Sequence, residues 1–307
     1  MQKYGGYCMG KFKYALFVLI GGISYGLLST IMKLGMKDGY VVSQLLAGQY
    51  IVGWFGLLLL VLFFSRKRIT GKQIGLLLLT GIPMSMTTIT YGIAVRELSA
   101  SIAIIFLFQF SWIGVVIESL VNKTFPSKPK LIAIALIFIG TIFSSGMVEG
   151  DMPQLTVKGI GFGLIAAITF AIYIFLNSRI ETSVEPFTKS FMMTTGGAIM
   201  TLSLFPPVFL FDGNLLDSIW IYSLFLGLFG VVVPIYFFSL GMPKVGGGLG
   251  TILSAVELPV VVVLSVIVLK ETVTFAQWIG IILILIGIMV PNVWMKTKTS
   301  IEGKAAF

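Results

Sequence analysis

The stretch GGLGTILSAVELPVVVVLSVIVL, residues 247–269, has the length and composition of a membrane-spanning helix but carries a glutamate near its middle. A bilayer core of about 30 Å requires roughly 20 apolar residues in a helix. A carboxylate at the centre of such a helix costs about 2.5–3.5 kcal/mol on insertion scales. We therefore expect Glu257 to face the interior of a helix bundle or a wet cavity rather than lipid.

Segments of the same kind recur along the whole chain. Of its 307 residues 57% are hydrophobic and 11% are charged, and the mean hydropathy is +1.03, well outside the range of soluble domains. Apolar runs of sufficient length lie at 12–32, 43–64, 73–94, 100–121, 130–148, 158–178, 188–211, 218–240, 247–269 and 275–295. The sequence thus predicts an all-α polytopic membrane protein with ten transmembrane helices.

The basic residues lie in short clusters between these runs. With the N-terminus in the cytoplasm, 16 of the 21 Lys and Arg residues fall on the cytoplasmic side. The positive-inside rule therefore favours both termini in the cytoplasm, with 296–307 as a cytoplasmic tail. The net charge of +9 reflects this topology, and no nucleic-acid partner is predicted. Glu118, near the basic end of the fourth run, is expected to reach toward Lys123.

The residue types that hydrolytic and metal chemistry need are scarce. The chain has no histidine and one cysteine, which argues against Ser-His catalysis and excludes an internal disulfide. Gly22-Ile23-Ser24-Tyr25-Gly26 matches the G-x-S-x-G nucleophile pattern, but a membrane helix lacks the strand-turn-helix context of that motif. The sequence also contains no G-x-x-x-x-G-K-[ST] nucleotide-binding loop. We predict neither an enzyme nor a bound cofactor or metal.

Local sequence patterns recur about 145 residues apart, as when Gly22–Gly26 in the first run returns as Ala167–Ala171 in the sixth. The order and spacing of such matches predict two five-helix repeats, at 12–148 and 158–295. Because five is an odd number, the second repeat must enter the membrane from the opposite side. Such inverted repeats are common among secondary transporters, whose substrate sites lie near the midplane between the repeats.

The chain resembles the ten-span, EamA-type members of the drug/metabolite transporter superfamily over roughly residues 12–295. The resemblance is carried by RELSASIA (96–103), VGGGLGTILSAVELP (245–259), LKET (269–272), Gly280 and Gly287. The first half departs more from the pattern, with Asn122-Lys123 where the second half has Lys270-Glu271. The resemblance implies a multi-pass protein of the bacterial cytoplasmic membrane. Most members of that family export amino acids, related metabolites or toxic compounds, and some are importers.

Glu257 is the first candidate site residue. It is expected to bind a substrate ammonium group or a coupling proton, and the alternative is a structural carboxyl that is hydrogen-bonded to a hydroxyl on a neighbouring helix. Ser254 lies on the same helical face, and Pro259 removes a backbone donor nearby. Small residues at the start of this run are expected to allow close helix packing or hinge motion. These are Gly246, Gly247, Gly248 and Gly250.

Other polar residues are expected to complete the site. Thr169, Tyr173 and Asn177 form one polar stripe on the sixth run. Thr88 and Tyr91 lie one turn apart on the third run, and Gln109 occupies the position that is repeat-equivalent to Glu257. The alternative for each is an ordinary interhelical hydrogen bond.

These observations predict a secondary active transporter that exports a small amino acid-like or drug-like metabolite by alternating access, linked to protons through Glu257. A passive facilitator or channel, or an importer, is the alternative. The expected partners are the small-molecule substrate, protons and the lipid bilayer, and a homodimer is left open.

Overall fold

Long apolar segments form helices because a helix satisfies its backbone polar groups within one segment. The computed structural model describes residues 2–65, 69–98, 100–144, 156–210, 219–269 and 274–305. In these ranges every long regular element is a helix. The helices are α1 (Gln2–Lys37), α2 (Val42–Phe64), α3 (Gly71–Glu97), α4 (Ala100–Leu107), α5 (Phe110–Asn122), α6 (Lys128–Ser144), α7 (Val157–Arg179), α8 (Pro186–Leu204), α9 (Ile219–Gly227), α10 (Val233–Val245), α11 (Gly247–Ser254), α12 (Glu257–Leu269) and α13 (Phe275–Ala305).

Many of these helices have the dimensions of membrane spans. Among the described residues, six helical stretches are long and apolar enough to cross a bilayer: Phe12–Lys37, Val42–Phe64, Gly71–Glu97, Val157–Arg179, Ile219–Val245 and Gly247–Val268. Two shorter apolar helices are Phe110–Asn122 and Phe275–Val290. The chain is thus a helical membrane protein, while the count of ten spans and the cytoplasmic termini stay predictions. Residues 145–148, 211, 218 and 270–272 of the predicted segments lie outside the described residues.

Three of the predicted segments are interrupted rather than continuous. The fourth breaks between α4 and α5, and the ninth breaks between α11 and α12. The eighth contains a π-helical turn at Leu228–Val232, between α9 and α10. The two full breaks fall at Phe108-Gln109 and Ala255-Val256, which are nearly equivalent positions of the predicted repeats.

Altered hydrogen bonding of backbone carbonyls accounts for two of the interruptions. Proline at position 259 has no N–H to donate to the carbonyl of Ala255, which instead accepts from the amide of Leu258 at 3.3 Å. In the π turn the carbonyl of Phe229 accepts a hydrogen bond from Ser24 Oγ at 2.7 Å. Ser24 is therefore a stabiliser of the π turn.

Helices from the two predicted repeats are interleaved. The contact between α1 and α10 corresponds, in the predicted repeats, to the contact between α7 and α3. In the same way, the contact between α2 and α9 corresponds to the contact between α8 and α3. α6 pairs with α13, and α5 crosses α11. At the α3–α8 crossing a Cβ atom on Gly81 would overlap the carbonyl of Met193, and one on Gly196 would overlap the carbonyl of Leu78. Glycine at both positions lets the two backbones touch, as in other membrane helix pairs.

Candidate functional site

Helix α1 lies directly against the break between α11 and α12. A Cβ atom on Gly22 would lie 2.8 Å from Cγ1 of Val256, and one on Gly26 would lie 2.9 Å from the carbonyl oxygen of Glu257. Ordinary contacts between carbon atoms are about 3.5–4.0 Å. Glycine at these two positions therefore allows the backbones to approach and fixes where Glu257, the first residue of α12, lies.

A cavity with an empty volume of about 500 Å³ lies beside this break. Side chains from α1, α2, α3, α4, α7 and α12 line it, so both predicted repeats contribute. The lining residues are Tyr25, Leu28, Ser29, Met32, Gln49, Met84, Thr87, Thr88, Tyr91, Leu107, Phe170 and Glu257.

Each hydroxyl group that lines the cavity already has a hydrogen-bond partner within the protein. Two of these bonds join helices that face each other across the cavity, Ser29 Oγ to Tyr91 Oη at 3.2 Å and Tyr25 Oη to Met84 Sδ at 3.5 Å. The threonines bond elsewhere: Thr87 Oγ1 to Thr169 Oγ1 at 2.8 Å and Thr88 Oγ1 to the carbonyl of Met84 at 3.1 Å. The hydroxyl groups thus shape the cavity, and a ligand would form its polar contacts with the other polar groups of the lining.

Two polar side chains in the cavity lack such a partner. Glu257 is only 5% exposed, and among the described residues none forms an ion pair or a hydrogen bond with its carboxyl group. Gln49 is 1% exposed, and its Oε1 atom is buried without a partner among those residues. A buried polar group without a partner costs about 1–3 kcal/mol, more when charged. A ligand that pairs with these two groups removes that penalty.

A second, wider cavity lies about one helical turn farther along the same helices. Its empty volume is about 1270 Å³, and it begins at Met36, one turn beyond Met32 on α1. The residues around it are Met36, Gly39, Tyr40, Val41, Val42, Ser43, Ile89, Ile93, Arg96, Lys158, Phe162 and Phe205. Most of them belong to helix ends and loops that the charge distribution predicts to lie outside the cell.

The opposite side of the Glu257 cavity is filled by aromatic rings. The Tyr25 ring contacts Phe170 at 5.7 Å and Phe238 at 5.5 Å between centroids. Phe110 packs edge-on against Phe170 at 4.7 Å. Tyr173 lies against the same cluster and is fully buried. With the predicted topology, these rings pack together on the cytoplasmic side of Glu257.

Hydrogen bonds also join the helices on that side. Lys189 is 1% exposed, and its Nζ donates to the carbonyl oxygens of Asn177 at 2.7 Å and Ile180 at 2.9 Å. Lysine near the C-terminus of a helix satisfies its last carbonyls and interacts favourably with the helix dipole. Lys189 on α8 thereby ties down the end of α7.

The expected pairing of Glu118 with Lys123 is wrong. Glu118 pairs with Lys130 on α6 at 2.5 Å. Lys123 has left-handed backbone geometry (φ 52°) at the end of α5 and is exposed, whereas Lys130 lies in the first turn of α6. A Cβ atom on Gly248 would overlap the Glu118 carboxylate. The carboxylate therefore lies against the first turn of α11, where the helix dipole favours negative charge.

The structure brings together some of the site residues that the sequence predicts. Glu257, Thr88 and Tyr91 line the cavity. Thr169 does not line the cavity, but its hydroxyl forms a hydrogen bond with the hydroxyl of the lining residue Thr87.

Four other predicted site residues do not line this cavity. Tyr173 and Asn177 are fully buried below it and contact each other at 3.4 Å. Ser254 donates to the carbonyl of Gly250 at 2.9 Å. Gln109 lies at the α4–α5 break, and its Oε1 accepts from the exposed Trp112 side chain at 2.7 Å. A substrate role for these four stays a prediction.

The predicted close packing at the start of α11 has a specific geometry. Gly246 has a φ of +84°, a conformation that glycine adopts readily. Gly247 lies against the backbone of Phe175, and a Cβ atom on Gly250 would overlap Met242 Sδ. Motion at these glycines and at Pro259 stays a prediction.

Sequence analysis missed several cavity residues. Ser29 and Phe170 gave no signal of their own, because a lone polar or aromatic residue in an apolar helix more often packs against a neighbour. Met32 and Met84 resemble ordinary core residues. Among the missed residues, Gln49 had a signal that could have identified it, because it is an amide near the middle of an apolar run.

A helical membrane bundle in which a buried carboxyl lines a cavity defines the class as a polytopic membrane protein. The EamA-like transporter family matches residues 12–146 and 157–293. The chain therefore belongs to the EamA-like transporter family and is a multi-pass protein of the cell membrane.

Individual relatives agree with this assignment. The chain is 23% identical over 94% of its length, and 97% of the relative's, to the uncharacterized transporter YwfM of Bacillus subtilis (strain 168). It is 25% identical over 67% of its length, and 72% of the relative's, to an uncharacterized transporter of Archaeoglobus fulgidus. A protein of known crystal structure has a TM-score of 0.71 at 16% identity, over 91% of this chain and 98% of that one. The last likeness shows the fold alone.

Proposed function

We propose that this protein is a secondary active transporter that exports a small metabolite across the cytoplasmic membrane in exchange for protons. The observation that carries the proposal is the Glu257 carboxyl, which is buried at a helix break, lines a cavity and has no partner among the described residues. Carboxyl groups inside a membrane mark substrate or proton pathways by default. The structural alternative requires a hydrogen bond from the Glu257 carboxyl to a hydroxyl on a neighbouring helix, and the described residues form no such bond.

Alternating access between two inverted five-helix repeats is part of the proposal. The interleaved packing supports it, because the most extensive contacts correspond when the first five predicted segments are exchanged with the last five: α1–α10 corresponds to α7–α3, and α2–α9 to α8–α3. The two helix breaks support it as well, since discontinuous helices near the midplane are typical of substrate sites in such transporters. With the predicted topology, the cavities open outward and the aromatic cluster closes the cytoplasmic side.

The transport cycle follows from this arrangement. Substrate from the cytoplasm binds at the ionised Glu257 when the aromatic cluster and the Lys189 bonds have opened. The bundle then adopts the outward-open arrangement, in which a proton from outside transfers to a Glu257 carboxylate oxygen and the substrate leaves. The protonated protein returns, and Glu257 releases its proton to the cytoplasm. One carboxyl thus serves substrate and proton in turn.

Extracellular metabolite profiles test this proposal. Cells that express the native chain are compared with cells that express Glu257→Gln and with cells that carry no transporter. Thr194→Val is the matched control, because Thr194 is 1% exposed and its Oγ1 has no partner among the described residues, yet it does not line the cavity. All variants are compared at equal membrane levels.

We expect a compound that is enriched outside with the native chain and with Thr194→Val but not with Glu257→Gln. Its export should slow when a protonophore collapses the pH gradient. Equal profiles for the native chain and Glu257→Gln, both different from empty cells, would refute the proton role. Profiles that all match empty cells would refute export.

A further inference from the structure

The cavity beside Glu257 has a definite chemical pattern. We infer that it binds an organic amine, with the ammonium group paired to Glu257, the apolar body between aromatic and methionine side chains, and a second polar group hydrogen-bonded to the Gln49 amide. This inference rests on the proposed function and names the substrate class for the same site.

The charge of the lining decides the charge of the ligand. Among the described residues that line the cavity, Glu257 is the one carboxylic acid, and none is lysine or arginine. In a low-dielectric site an unpaired charge is costly, and an opposite charge on the ligand offsets that cost. An ammonium group neutralises Glu257, whereas a ligand carboxylate would place a second negative charge beside it. The lining therefore favours amines over carboxylic acids.

The Gln49 amide supplies the second polar contact. Gly230 lies in the π turn, and a Cβ atom there would be 2.6 Å from Gln49 Nε2, so the turn holds the side chain in place. The Oε1 atom has no partner among the described residues, and an amide offers both donors and acceptors. A hydroxyl or an amide on the ligand, placed away from its ammonium group, satisfies Gln49 from within the cavity.

The rest of the lining suits an apolar body. Tyr25 and Phe170 meet edge to face at 5.7 Å, and Met32, Met84 and Leu107 complete the wall. Aromatic faces attract cations as well as apolar groups, and methionine adapts to ligands of different shape. The described hydroxyl groups of the lining already form hydrogen bonds with other side chains or with the backbone, so they compete less for the ligand.

The same reasoning separates amines from amino acids. An α-amino acid carries a carboxylate next to its ammonium group, and this carboxylate needs strong donors. Among the described lining residues Gln49 is the one side-chain amide, and it offers a weaker contact than a basic side chain. The cavity is thus expected to prefer an amine to the amino acid with the same side chain.

The first experiment measures ligand binding by thermal stability of the purified full chain. The probes are two matched pairs of amines, tyramine with phenethylamine and 6-aminohexan-1-ol with hexylamine. Tyrosine, phenylalanine and the carboxylic acids of the same skeletons complete the set. A ligand that binds the folded state alone raises the Tm in proportion to RT ln(1 + [L]/Kd). We expect the amines to raise the Tm and the acids and amino acids to leave it unchanged.

The second experiment tests Gln49 with the same probes. For the native chain the hydroxylated amine of each pair should bind roughly 3- to 10-fold more tightly, the value of one hydrogen bond to a neutral group. Gln49→Leu should abolish this preference while phenethylamine and hexylamine still bind. Thr194→Val should retain the preference, and Glu257→Gln should lose the binding of all four amines.

The outcomes separate this inference from the proposed function. Stabilisation by acids or amino acids, or by none of the probes, overturns the amine class. A hydroxyl preference that survives Gln49→Leu overturns the role of Gln49. If Glu257-dependent, proton-linked export of an acidic or zwitterionic compound is found, the proposed function stands and this inference falls.

Discussion

The contact between Gly26 and the first turn of α12 gives the sharpest structural prediction. An alanine Cβ at position 26 would lie 2.7 Å from Cβ and Cγ1 of Val260 and 2.9 Å from the carbonyl oxygen of Glu257. Carbon atoms in ordinary contact are about 3.5–4.0 Å apart, so α1 and α12 would have to separate by about 1 Å. The neighbouring atoms are backbone or β-branched side chain, and neither yields easily.

Overpacking of this kind costs about 1–3 kcal/mol. We expect Gly26→Ala to lower the Tm of the purified protein by roughly 2–8 °C. Because the displaced carbonyl belongs to Glu257, the same variant should also weaken ligand binding and transport, although Gly26 does not line the cavity.

Gly161→Ala is the matched control for this prediction. Gly161 lies within α7 and has open space around its Cα, because no neighbouring atom lies within 4 Å of the position that an alanine Cβ would take. Alanine has the higher helix propensity by about 1 kcal/mol, so this variant should be as stable as the native chain or slightly more stable. The packing argument would be refuted if Gly26→Ala matched Gly161→Ala in both Tm and transport.

Two further contacts give separate predictions. Lys189→Met leaves the carbonyls of Asn177 and Ile180 without their hydrogen-bond donor. Amide hydrogen exchange should therefore accelerate in the last turn of α7 and stay unchanged near Asp38, at the other end of the bundle. An equal change in exchange at both ends would contradict the role of Lys189 in holding α7 to α8. Ser85 and Thr201 share a buried hydrogen bond of 2.6 Å, so a double-mutant cycle with Ser85→Ala and Thr201→Val should give a coupling of about 0.5–1.5 kcal/mol in the free energy of unfolding, and additive effects would exclude that bond.

The sequence determines the helices better than it determines their interruptions. Apolar length alone locates most helices within a few residues, because the bilayer imposes one length scale on each of them. The break at Ala255-Val256 combines the missing N–H of proline at position 259 with the close approach of Gly22 to Val256, a tertiary contact that a single helix does not reveal. Proline at position 259 is visible in the sequence, but proline is also common in continuous membrane helices.

The candidate site shows the same division. Glu257 is evident from its cost in an apolar helix, whatever surrounds it. Which polar side chains lie near Glu257 depends on which helices pack together, and a single helix in the sequence does not reveal that packing. Thr88 and Tyr91 are predictable because they share the face of α3 that lines the cavity. Gln49 was missed because its importance comes from the π turn of another helix and from the absence of a partner among the described residues.

The contrast between Gln109 and Glu257 explains why the predicted symmetry does not produce a symmetric site. Both residues lie at breaks, but Gln109 turns toward the exposed Trp112, whereas Glu257 lies in the cavity beneath Gly26 of α1. In the proposed site the polar group that complements Glu257 is Gln49, from a helix that is not its repeat equivalent. The predicted inverted repeat concerns the course of the backbone, and the proposed alternating access depends on that course. The proposed ligand recognition depends on side chains, and among the described residues the lining has one carboxyl and one amide rather than two of either.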